Sequence, residues 1–173
     1  MKSEPTYQAI PKTLYEQLIQ RVSPSHDFMP SLDYYPCEVT LLDGRIFDRV
    51  YIVQQDAYIK VWGVYPKDDR GKREIRIENV LEIRESKYRL PPHFANKLYE
   101  AGETGMGYCV FTVEFSDHTT KVFITGNAVD FISYPLGQTQ ENVIDVHPHK
   151  GRANTKTDSG PDYYWCIYSG IAK

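Results

Sequence analysis

Residues 37–53, "CEVTLLDGRIFDRVYIV", decide the fold. Val39 and Leu41 alternate with other residues, and Ile46, Val50 and Ile52 take up an alternation again after Asp43-Gly44. Apolar side chains at every second position place one face of a strand against a core. Asp-Gly tolerates the positive φ angles of a tight turn, so the stretch is predicted to be a β-hairpin. "QQDA" (54–57) reads as a second, weaker turn, leading to a further strand carrying Ile59 and Val61. Beyond the charged loop "YPKDDRGKR" (65–73), "EIRIENVLEIRES" (74–86) is a strand pattern broken at Glu78-Asn79, where a short helical turn re-aims the chain.

Upstream, "PKTLYEQLIQRVSP" (11–24) predicts a helix. Ile10, Leu14, Leu18 and Val22 recur every four residues, Thr13 and Glu16 have capping-box spacing, and Pro24 ends the run. "SHDFMPSLDYYP" (25–36) reads as an irregular connector. Downstream, "LPPHFANKLYEAGETG" (90–105) opens a second helix at Pro91-Pro92, with Phe94, Ala95, Leu98 and Tyr99 on its apolar side and Gly102 as its stop. "YCVFTVEFSDHTTKVFITG" (108–126) is a hairpin turning at "SDHT". A strand follows at 141–147, "GRANTKTDSGPD" (151–162) is a loop, and "YYWCIYSG" (163–170) is a terminal strand or an interface segment.

The order of strands and turns between residues 36 and 86 resembles the SH3-like or Sm-like small barrel, on the strength of "LLDGRIFDRVYIV" and the closing "IRIENVLEI". The resemblance implies a barrel-like sheet and nothing about activity, because the uridine-binding signatures of Sm-like proteins are not evident. The expected fold class is α+β, mainly antiparallel. It comprises an N-terminal helix and connector (1–35), a small barrel-like subdomain (36–89) and an α+β subdomain (90–173), the last two sharing one core.

Composition narrows the function. A mean hydropathy of -0.50 and the lack of a long apolar run argue against a spanning helix. "MKSEPTYQAI" has no basic-then-apolar leader, so a cytoplasmic protein is expected. Cys37, Cys109 and Cys166 are widely spaced and read as buried free thiols. Residues 36–89 carry 11 basic and 10 acidic side chains and residues 90–173 carry 6 and 9, so neither half has the basic excess of a nonspecific phosphate binder. Tyrosine, at 14 of 173 residues, suits both strands and recognition surfaces.

Two strings carry candidate chemistry. In "IDVHPHKGR" (144–152), Asp145, His147 and His149 stand at i, i+2 and i+4 and would share one face of a strand. That is a possible metal set, with His93, Glu103 or His118 as a further ligand. Lys150 and Arg152 could instead meet an anion. Pro148 argues for a strand end, with these side chains solvated. "AGETGMGY" (101–108) is glycine-rich but follows a helix and opens a strand, the reverse of a dinucleotide loop. Glu103 and Tyr108, with Asn127 and Asp130 of "ITGNAVDF", could line a cleft. Tyr58 and Trp62, with Arg73 and Arg76, form a candidate base-stacking face.

No nucleophile motif or cofactor fingerprint is present, and no cofactor is expected. The reading is a nonenzymatic protein-binding module, one form of which is an immunity-type protein that neutralises a toxin or enzyme. RNA binding through the barrel-like face, or a metal-dependent enzyme using Asp145, His147 and His149, are the alternatives.

Overall fold

The computed structural model describes residues 6–26, 33–151 and 156–173. In chain order these form α1 (Lys12–Arg21), β1 (Ser25–His26), β2 (Asp33–Leu41), β3 (Ile46–Gln54), α2 (Gln55–Trp62), β4 (Val80–Arg84) and α3 (Pro92–Ala101). They continue with β5 (Cys109–Phe115), β6 (Thr120–Thr125), β7 (Val143–Pro148), β8 (Asp158–Ser159) and β9 (Tyr164–Tyr168). Short 3-10 turns occupy Pro66–Asp68, Ile77–Asn79 and Gln140–Asn142. The fold is mixed α+β. No described helix is long and apolar enough to cross a membrane.

The described residues divide into two compact units. The first holds 6–24, 33–86 and 163–173, and the second holds 25–26, 87–151 and 156–162. The C-terminal strand, read from the sequence with the second half of the chain, therefore belongs to the first unit. β9 lies parallel to β3, with Tyr51 opposite Trp165 and Val53 opposite Ile167.

In the first unit β2 pairs antiparallel with β3 on one side and β4 on the other. The predicted Asp-Gly turn joins β2 to β3: Gly44 has φ 87°, and the Gly44 N–H donates to the Leu41 carbonyl at 2.9 Å. One side of the sheet carries Cys37, Val39, Leu41, Val50, Ile52, Val80 and Ile83 against Leu14, Leu18 and Val22 of the α1 region. α1 also seals the edge of β4. Gln17 Oε1 accepts from the Ile83 N–H (3.1 Å) and Arg21 donates to the Ile83 carbonyl (3.0 Å). Capping Ile83 in this way blunts that edge as a template for a further strand.

The α1 expectation holds for the helix but not for its cap. The N-cap is Pro11, with no side-chain hydrogen bond, and Thr13 lies inside the first turn. The segment ahead of the helix is anchored instead by residues 170–172: Ile10 N–H donates to the Gly170 carbonyl and Ala172 N–H to the Ile10 carbonyl.

The third strand of the expected barrel does not exist. Residues 55–62 form α2, and neither sheet is closed. Gln54 caps this helix by accepting the Ala57 N–H at 3.0 Å, and Gly63 ends it at φ 75°. Tyr58 and Trp62, four residues apart, stack on one helical face. The β-branched Ile59 and Val61 suggested a strand, but the capping and the four-residue aromatic spacing prevail.

The second unit contains a four-stranded sheet in the order β7-β5-β6-β8, antiparallel except for β6 with β8. Phe111, Val113, Phe115, Phe123 and Val146 are fully buried, and α3 contributes buried Ala95, Leu98 and Tyr99. α3 packs on β7 and β1. As expected, Gly102 ends α3 with φ 79°, and the β5–β6 turn runs through "SDHT", with His118 at φ 67°.

Candidate functional site

The outward face of the second unit's sheet carries Asp145 and His147, two of the residues singled out in the sequence. Glu114 of β5 stands directly opposite Asp145 of β7, and Thr112 opposite His147. Their chain neighbours Val113, Phe115 and Val146 are buried, so the strand period turns these four toward solvent. His147 Nε2 lies 3.1 Å from Glu114 Oε2 and 3.8 Å from Asp145 Oδ2. Lys97 of α3 donates to Asp145 Oδ1 at 2.8 Å, and the Val146 N–H donates to the same oxygen at 2.8 Å. The Lys97 hydrogen bond, aided by the backbone donor, holds the Asp145 carboxyl below the usual aspartate range.

His149 was expected beside Asp145 and His147, but it does not join them. Its Nε2 is within 2.7 Å of Thr112 Oγ1. Glu114, from the adjacent strand, takes the third place, and the ligand atoms of Glu114, Asp145 and His147 lie within 4.8 Å of one another. Sequence spacing along one strand could not find Glu114, because cross-strand neighbours depend on register. Neither His93, Glu103 nor His118 converges with this group.

The other candidates are dispersed. Glu103 is exposed and accepts the Gly107 N–H at 3.2 Å, which closes the glycine loop on itself. Tyr108 lies over Gly105, where a Cβ would come within 2.3 Å of the tyrosine oxygen, so glycine there serves a close approach. Asp130 is completely buried and accepts hydrogen bonds from the hydroxyls of Ser25 and Tyr99. Arg89, also buried, donates to Ser25 Oγ at 3.2 Å. This is an internal polar network, which corrects the expectation of a cleft-lining Asp130. Asn127 is half-buried, and its Oδ1 has no hydrogen-bond partner among the described residues. Arg152 lies outside the described residues.

In the first unit Tyr58 is wholly buried, with its ring against Trp165 at 5.0 Å. Burial raises its hydroxyl pKa well above the ordinary tyrosine value. Trp62 donates from Nε1 to the Tyr34 hydroxyl at 3.0 Å, and the Lys72 ammonium sits 3.5 Å from the centre of its ring. Arg76 is tied to Glu74 (3.1 Å), Glu78 (3.2 Å) and the Thr6 carbonyl (3.0 Å). Exposed Arg73 stands 5.9 Å from the centre of the Tyr164 ring. These four residues do not form an open stacking face.

Two further features have no local signal in the sequence. One is a cleft of about 600 Å³ in the second unit, lined by Lys87, Tyr88, Tyr134, Gln138, Thr139, Gln140 and Glu141. The other is an apolar patch in the first unit, where Leu42, Ile46 and Leu81 are 64%, 63% and 54% exposed. Thr40 pairs with both Ile46 and Glu82, and the Leu42 N–H donates to the Asn79 carbonyl, so these side chains gather at one end of the sheet. Buried Leu41 and Val80 face the opposite way, toward the core. No family model, curated protein or solved structure matches this chain.

Proposed function

We propose that the chain is a nonenzymatic, cytoplasmic binding module that recognises a protein partner through the hairpin end of its first unit. The observation carrying this reading is the grouping of Leu42 in the β2–β3 turn with Ile46 of β3 and Leu81 of β4, each more than half exposed. Fully burying an aliphatic side chain is worth about 1.5–3 kcal/mol, so covering the share of these three that is still exposed would supply roughly 3–5 kcal/mol of an interface. The Asp43–Arg45 and Glu82–Arg84 ion pairs at the same end furnish the polar rim that surrounds an interface core. The net charge of -3 favours a basic partner by steering. One form of such a module is an immunity-type protein that covers the working surface of a basic toxin or enzyme.

RNA recognition by stacking on Tyr58 and Trp62 would need another face, since Tyr58 has no accessible surface and Lys72 lies over Trp62.

The test is photo-crosslinking from position 42 or 81 in nuclease-treated native lysate, with an exposed position of the second unit as control. The proposal predicts one protein, joined from 42 and 81 but not from the control. Equal joining from all three positions, or retention only of material that nuclease removes, would contradict it.

A further inference from the structure

We propose that Glu114, Asp145 and His147 form a binding site for a divalent transition-metal ion, with Zn²⁺ its best match. The site is independent of the partner-binding reading and lies in the second unit.

Strand register comes first. Glu114 and Asp145 are directly opposed across the β5–β7 pair, an arrangement of like charges that a nearby cation relieves. Lys97 engages Asp145 Oδ1. The other carboxylate oxygen, Oδ2, and Glu114 Oε2 both face His147 Nε2, at 3.8 Å and 3.1 Å. Two ligands bound about 2.1 Å from one tetrahedral ion stand about 3.4 Å apart; the two His147 separations bracket that value, and all three ligand atoms lie within 4.8 Å of one another.

Preorganisation comes second. All three ligands ride on paired strands whose alternate residues, Val113, Phe115 and Val146, are fixed in the core, so the site needs side-chain adjustment only. Lys97 and the Val146 N–H then act as the outer shell that orients Asp145.

The donor set selects the ion. One imidazole nitrogen with two carboxylate oxygens suits Zn²⁺ better than Ca²⁺, which takes oxygen ligands in greater number. Nε2 of His147 stands 3.1 Å from Glu114 Oε2; with an ion bound, the ring would carry its proton on Nδ1 and offer the Nε2 lone pair. His147 is half-exposed, so a fourth position lies open to water or to a donor from another molecule. His149, held by Thr112, is not a ligand and serves as the internal control.

The experiment is calorimetric titration of Zn²⁺ into the tag-free chain and into its H147A, E114Q and H149A variants, with circular dichroism confirming that each is folded. The expected result is one ion per chain, affinity weakened at least tenfold in H147A and in E114Q, and a change within twofold in H149A. The proposal is overturned if the parent chain shows no saturable site or if H147A and E114Q bind as the parent does. A loss in H149A as large as that in H147A also overturns it.

Discussion

β3 and β5 are both inner strands with partners on either side, yet they use their faces differently. In β3 the consecutive residues Val50, Tyr51, Ile52 and Val53 are all buried. Val50 and Ile52 enter the aliphatic core, while Tyr51 stacks on Trp165 at 4.9 Å between ring centres. In β5 the core takes Phe111, Val113 and Phe115, and the intervening Thr112 and Glu114 remain partly open. A strand sealed on both faces has no side chain to spare for ligands. Among the described residues of the first unit, the most exposed large apolar side chains accordingly stand where its sheet runs out, at Leu42, Ile46 and Leu81, whereas the second unit's sheet keeps Thr112, Glu114, Asp145 and His147 on its open face.

The sealed face gives the largest predicted effect. Trp165 packs against Tyr34 (5.5 Å), Tyr51 and Tyr58, so Trp165→Ala should destabilise the chain by about 3–5 kcal/mol in urea unfolding. A cost under about 1 kcal/mol would mean that this face is not packed as a core. Next, Gly63→Ala forces an L side chain into φ 75° at the end of α2 and should cost roughly 1 kcal/mol. No loss would undermine the helix that replaced the expected strand.

Two lysine–aspartate pairs sharpen the contrast further. Lys97–Asp145 is a surface pair with both side chains 40% or more exposed, so Lys97→Met should change stability by less than about 1 kcal/mol. Lys72–Asp69 (3.2 Å) is more enclosed, and burial holds the Lys72 ammonium below its usual pKa while Asp69 opposes the shift. A depressed folded value contributes stability that is present above the usual lysine range and lost as the pH falls through the folded value. Asp69→Asn should therefore lower the Lys72 pKa further, as read by NMR titration of its Nζ group. A rise would show that the carboxylate does not support this charge.

Much of the fold was legible because its signals are local. The Asp-Gly hairpin, the period-four stripe of Leu14, Leu18 and Val22, the stop at Gly102 and the alternation of β5 each depend on a few neighbouring residues. α2 was not legible as a helix, because Ile59 and Val61 are good strand residues and its cap is a glutamine, an unusual choice. The joining of β9 to β3 was also out of reach, since a parallel pairing leaves no turn between the partners to mark it. At the candidate metal site, Asp145 and His147 were found by their spacing. Glu114 was not, because it comes from a neighbouring strand and only register places it there.

The most direct measurement sets stability beside partner capture in the Leu42→Asp/Ile46→Asp double variant. If the hairpin end is a recognition surface and not part of the core, its unfolding midpoint should match the parent's while the nuclease-resistant protein captured by the parent is lost. Unchanged capture, or a midpoint that collapses because these residues hold the fold together, would contradict the account.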